Sequence, residues 1–86
     1  MDSLFVFSRI PNEDQLRLLN HQASAKVLLL GPAIYTASTV FKNRTVLLIA
    51  EEVEELGVAP ELPQGFTAQP SSEVMETLLS HKLFNF

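Results

Sequence analysis

Two short apolar runs decide the fold. The first is Val27-Leu28-Leu29-Leu30, leading into Gly31-Pro32-Ala33-Ile34-Tyr35-Thr36-Ala37. The second is Val46-Leu47-Leu48-Ile49, leading into Ala50-Glu51-Glu52-Val53-Glu54-Glu55-Leu56-Gly57. A strand buried on both faces reads as an unbroken apolar run, because neither face meets water. Such strands belong to parallel sheets, and parallel neighbours need a crossover between them, usually a helix. Each run passes at once into a helical pattern, as a crossover requires.

Outward from this pair, the rest of the chain falls into alternating elements. Ser3 to Ser8 is β-rich and reads as a first strand, ended by Pro11. Asn12 is a good N-cap, with Gln15 three residues on and Glu13 and Asp14 in the first turn, where the helix dipole favours acids. Leu16, Leu19 and Ala23 share a face, which predicts a helix over 13–23. Lys26 to Leu30 is the second strand. Ala33, Ile34, Ala37, Val40 and Phe41 share a face and predict a helix over 32–42, with Pro32 in its first turn and Asn43 at its end. Thr36, Ser38, Thr39 and Val40 are poor helix formers, so packing must hold that segment. Thr45 to Ile49 is the third strand. A short helix, Glu51 to Leu56, follows, with Val53 and Leu56 inward, four glutamates in water and Gly57 as the stop. Residues 59–65 form a Pro/Gly-punctuated loop, and 66–68 a very short strand. Pro70-Ser71-Ser72 starts a last helix whose expected buried face is Val74, Met75, Leu78 and Leu79. The apolar tail from Lys82 to Phe86 docks on the body.

The order β-α-β-α-β-α-(β)-α argues for layers around a parallel sheet, with helices on both faces. The expected fold class is α/β: one small three-layer α/β/α domain over residues 1–86, with a mostly parallel sheet of four to five strands.

The 86 residues set the scale. A domain this small buries only about 60–65% of its unfolded surface, so oligomerisation is a common remedy for its modest stability. The 47% hydrophobic share excludes disorder. Ten acidic residues against six basic ones give a net charge of −4. Phosphate backbones are bound by clustered Lys and Arg. The scattered bases offer no stripe, so no direct nucleic-acid binding is expected; Lys42-Asn43-Arg44 reads as a solvated loop rather than a contact. The chain has no cysteine, which removes disulfides, thiolate catalysis and Cys-metal sites. Residues 1–7 carry an acid and no basic residue, unlike a signal peptide. The longest charge-free stretch, Val27 to Phe41, is too short to span a bilayer. A cytoplasmic protein without a membrane partner is the expectation.

Chemistry-bearing patterns are sparse. Gly31-Pro32-Ala33 lies where an anion-binding turn would lie, but no G-x-G-x-x-G is present and Pro32 has no N–H. It reads as a tight junction, with small-ligand or nucleotide binding there as the alternative. Glu51, Glu52, Glu54 and Glu55 read as a solvated helix face. His21 and His81 fall at helix ends, where a cation suits the dipole. No G-x-S-x-G surrounds any serine. The chain reads as a non-enzyme, with no catalytic residue, metal site or cofactor expected. Tyr35, Phe41, Phe84 and Phe86 are many aromatics for so small a core, and are the candidate interface residues. The other reading is that they complete the core, and it suits Phe41 best.

Over nearly its whole length the chain resembles the DsrE/DsrF/DsrH family of sulfur-relay proteins, most closely the DsrH/TusB branch. The stretches Lys26 to Ala37 and Val46 to Val58 carry the resemblance, with the opening strand ending in Ser8 and a final helix followed by an aromatic tail. It implies a subunit of a hetero-oligomer that passes persulfide sulfur, either to tRNA for wobble-uridine 2-thiolation or within a related intracellular transfer. The implied partners are DsrE/TusD-like and DsrF/TusC-like chains, the former bearing the sulfur-carrying cysteine. The cysteine that DsrH-type members often carry falls near Arg17 here, which makes the chain similar to the cysteine-free TusB type. It departs from the branch pattern at Pro32-Ala33, where an acidic-Gly pair is usual, and at Leu56, where a basic residue often precedes the glycine. A homo-oligomeric paralogue without relay activity is the remaining alternative.

Overall fold

The computed structural model describes residues 2–36, 38–41, 44–56 and 64–86. The elements run β1 (Ser3–Phe7), α1 (Glu13–Asn20), β2 (Lys26–Leu29), two 3₁₀ turns (Gly31–Tyr35 and Ser38–Phe41), β3 (Val46–Ile49), α2 (Ala50–Leu56), β4 (Phe66–Gln69), α3 (Ser71–Ser80) and β5 (Lys82–Asn85). The five strands form one sheet in the order β4-β3-β2-β1-β5, and every neighbouring pair is parallel. The expected α/β/α domain is therefore present.

The topology dictates where the helices lie. From β1 to β4 the chain steps steadily across the sheet, so right-handed crossovers put all three connections on one face. The return from β4 to β5 runs the other way and must cross the opposite face. Packing follows this rule. Leu19 of α1, Ala33 and Phe41 of the 3₁₀ turns and Val53 of α2 pack with Phe5, Phe7, Val27, Leu29, Val46 and Leu48. Val74 and Leu78 of α3 pack with Leu4, Val6, Leu28 and Leu47 on the other side.

All six phenylalanines of the chain join the first of these faces. Their rings make a continuous line from Phe66 to Phe41 (6.4 Å), Phe7 (6.4 Å), Phe86 (5.2 Å), Phe5 (5.6 Å) and Phe84 (4.8 Å). The line crosses from one edge strand to the other. Offset aromatic pairs at these separations add to the burial each ring already contributes.

Three expectations change. The helix expected over 32–42 is two 3₁₀ turns. The Thr36 hydroxyl donates to the Ala33 carbonyl at 2.7 Å, and Thr36 itself is extended at ψ 136°, which ends the first turn. Asn43, Gly57 and most of the 59–65 loop lie outside the described residues. The first helix ends at Asn20 rather than 23, and Ala23 is exposed. The last helix buries Val74 and half-buries Leu78, but Met75 and Leu79 are 57% and 83% exposed. The four apolar residues form two neighbouring stripes, 74/78 and 75/79, and only one can face the sheet. The tail does dock, as the parallel edge strand β5, tied to β1 from Ser3↔Lys82 to Val6↔Asn85.

Candidate functional site

Because all five strands are parallel, their carboxyl ends lie along one edge, which is where open α/β sheets place their ligands. This edge has two dissimilar halves.

Over β2, β3 and β4 the edge is laced together by two glutamates. The register Leu29↔Leu48 sets the exit of β2 beside the start of α2. The Glu52 carboxylate accepts a hydrogen bond from the Gly31 N–H at 2.8 Å. Gly31 has φ +51°, a left-handed conformation that costs a residue with a Cβ about 1–2 kcal/mol. The Glu51 carboxylate accepts from the Ser71 N–H at 3.2 Å with each oxygen and so caps α3, which Pro70 leaves without a side-chain cap. Hydrogen bonds from the Ser71 side chain, from Glu51's own backbone and from the Ser71 N–H hold the Glu51 carboxyl below the usual carboxylate range. The four glutamates of α2 are thus not all solvated: two fasten loops. A ligand anion at the Gly31-Pro32 turn would meet a carboxylate already bonded there.

Over β1 and β5 the edge is open. The strand order reverses here, since β1 leads to α1 on one face and β5 arrives from α3 on the other. A crevice of about 460 Å³ lies at this point, lined by Arg9, Ile10, Asn12, Gln15 and Phe86. Its floor is held by the Ser8 hydroxyl, which donates to the Phe86 carbonyl at 3.0 Å, and by the Phe86 N–H, which donates to Val6 at 2.9 Å. Asn12 and Gln15 form a full capping box. The Gln15 N–H donates to Asn12 Oδ1 at 2.9 Å, and the Asn12 N–H donates to Gln15 Oε1 at 3.0 Å.

The four candidate interface aromatics are not brought together. Phe41 is 2% exposed, and a ring so buried offers no surface to a partner, so it belongs to the core. Phe84 and Phe86 are half-buried and stack on Phe5 and Phe7. Tyr35 alone projects, 60% exposed, from the first 3₁₀ turn. The outward stripe of α3, Met75 and Leu79, joins it as exposed apolar surface, with Leu83 on β5.

Arg44 is structural rather than a nucleic-acid contact. Its guanidinium donates to the carbonyls of Gln22 (2.9 Å), Ala25 (2.7 Å) and Leu19 (3.4 Å), closing the end of α1 onto the entry to β2. Burial lowers its pKa. Lys42 and Asn43 lie outside the described residues. His21 caps the C-terminus of α1 with its backbone N–H. The His81 Nδ1 lies 2.8 Å from the Thr77 carbonyl and 2.9 Å from the Ser80 hydroxyl, at the end of α3. Among the described residues no three His, Asp or Glu side chains gather into a metal cluster, and no helix is long and apolar enough to cross a membrane.

No family model, no curated protein and no solved structure matches this chain.

Proposed function

We propose that the chain is a non-catalytic subunit of a cytoplasmic sulfur-relay complex, acting by binding cysteine-bearing DsrE/TusD-like and DsrF/TusC-like partners. The observation that carries this reading is the apolar surface left outside a small core. Tyr35, Met75 and Leu79 are each more than half exposed, although the chain has no spare core to bury them. Met75 and Leu79 are neighbours one turn apart on α3, and adjoining exposed apolar side chains on a small domain suit a contact surface. The lack of cysteine fits a subunit that shapes its partners and leaves the sulfur to them. The sequence resemblance supplies the identity of those partners and the destination of the sulfur, a tRNA wobble uridine or a related intracellular acceptor.

Sedimentation of the chain with DsrE-like and DsrF-like chains from the same cell tests this. A hetero-oligomer that forms with the native chain and is weakened by Tyr35→Ser or Leu79→Lys is the expected result. Separate sedimentation of the native chain and its candidate partners overturns the reading. The homo-oligomer alternative draws on the outer edge of β5, beside which no strand lies among the described residues, and sedimentation of the chain alone addresses it.

A further inference from the structure

We propose that the outer edge of β5 pairs with the same edge of a second copy of this chain, antiparallel and centred on Leu83, so that two five-stranded sheets become one. Self-pairing of β5 gives the homo-oligomer alternative a surface and a register, and it does not rest on the sulfur-relay reading.

Backbone groups alternate along a strand, so every second residue bonds to a given neighbour. Lys82 and Phe86 bond inward: the Lys82 N–H donates to the Asp2 carbonyl at 2.8 Å and the Phe86 N–H to the Val6 carbonyl at 2.9 Å. Leu83 and Asn85 therefore turn their N–H and C=O groups away from β1, and no strand lies beside them among the described residues. The chemistry that satisfies such an edge is another extended backbone. Chains that stay monomeric guard it with a bulge, a proline, a covering element or a charge held out along the edge. Among the described residues β5 has none of these. Its register with β1 is regular from Lys82 to Asn85, and it holds no proline. Its one charge lies over the sheet face, with Lys82 Nζ 5.5 Å from the Phe84 ring centroid.

The same edge of a second copy fits it under a two-fold axis perpendicular to the sheet, which makes the two strands antiparallel and keeps like faces together. Only outward residues can exchange bonds. Leu83 therefore stands opposite either Leu83 or Asn85 of the second copy. Pairing with β1 sets Leu83 beside Leu4 and Phe84 beside Phe5, on opposite faces of the sheet. Phe84 is already stacked on Phe5 at 4.8 Å. Leu83 is 39% exposed, on the face that carries α3. The Leu83-centred register covers the two exposed leucines with each other. It also sets each Lys82 opposite a Phe84 ring, and no like charges face one another. The other register spends Leu83 on a polar Asn85. So short an edge is a small contact, and the dimer is accordingly concentration-dependent.

The test is sedimentation equilibrium of the full chain alone, from about 10 μM to about 1 mM. Self-association is expected, and Leu83→Pro should weaken it by at least about tenfold. The Leu83 N–H faces away from β1, so proline takes no bond from the fold and the thermal melt should persist. Leu83→Lys, which guards the edge with a charge, replaces it if the proline variant does not fold. Register is read from Leu83→Cys, since the chain has no other thiol. A hydrogen-bonded pair holds its Cα atoms about 5.5 Å apart, within reach of a disulfide, whereas the Asn85 register holds the two thiols too far apart. In glutathione buffer Leu83→Cys should form a covalent dimer at least about tenfold faster than Leu79→Cys, although Leu79 is the more exposed position. A chain that stays monomeric at about 1 mM, whether or not another protein's strand takes the edge, overturns the proposal. So does a dimer that survives both Leu83→Pro and Leu83→Lys, or equal cross-linking of the two cysteine variants.

Discussion

The two halves of the carboxyl edge start from the same materials and end differently. Over β2, β3 and β4, loop N–H groups face outward and the chain supplies its own anions, Glu52 at Gly31 and Glu51 at Ser71. Over β1 and β5, the side chains of Arg9 and Asn12 stand in solvent beside half-buried Gln15 and Phe86 around a crevice. The difference comes from the chain's direction of travel. Successive strands β2 and β3 stand side by side, so the helix after one can cap the turn after the other. β1 and β5 are adjacent in space but lie at opposite ends of the sequence. Beside them α1 turns its Asn12 and Gln15 side chains onto its own capping box. One half is a finished structural junction, and the other keeps unspent hydrogen-bonding capacity.

The largest way to break the comparison is to remove the sheet beneath the closed half. Leu29→Asp or Leu48→Asp places an unpaired carboxylate among fully buried strands, a cost of several kcal/mol against a total stability of about 5–15. Neither variant should show cooperative thermal unfolding by circular dichroism. Gly65→Ala comes next. Gly65 has φ +89°, and a Cβ there would sit 2.8 Å from the Arg44 carbonyl oxygen. Its loss should cost about 2–3 kcal/mol, lowering Tm by about 10 °C in a calorimetric scan.

Glu52→Ala sharpens the contrast directly. It leaves the partly buried Gly31 N–H without a partner, at about 1–2 kcal/mol. In that variant alone, phenyl phosphate should begin to shift resonances at residues 31–35. Glu54→Ala, on the exposed side of the same helix, should change stability by no more than about 0.5 kcal/mol. The smallest effect is one of pH. The Glu51 carboxyl is held low by its hydrogen bonds to Ser71 and the backbone. Its ionised form therefore contributes stability above the ordinary glutamate value of about 4.3, and that contribution is lost as the pH falls further. Unfolding midpoints of the native chain and Glu51→Gln should differ slightly at neutral pH and converge in acid.

Most of the sheet was readable from the chain, because a doubly buried strand has no alternative pattern. Val27 to Leu29 and Val46 to Leu48 are buried throughout, as their unbroken apolarity requires. The segment after Leu30 misled for the reason already visible in it. Its spacing is helical, yet Thr36 can bond the backbone in place of the helix, and does. The stripe Met75/Leu79 was misassigned because periodicity names a face without saying how wide a face the neighbour can cover. The roles of Glu51 and Glu52 were legible only in register. Once β2 and β3 are paired in parallel, Gly31 falls beside the start of α2, and an acid there has an N–H to meet. Arg9 and Gln15 gave no such signal, since the crevice they line exists only after β5 returns to β1.

The placement of Tyr35 has a practical consequence. The chain contains no tryptophan and one tyrosine, and that phenol stands in solvent at 60% exposure while the aromatic interior is phenylalanine alone. Near-ultraviolet emission excited in the tyrosine band therefore comes from a single surface point. An unlabelled protein thus carries its own optical reporter on the β2 side of the edge, blind to the interior and sensitive to whatever covers that turn.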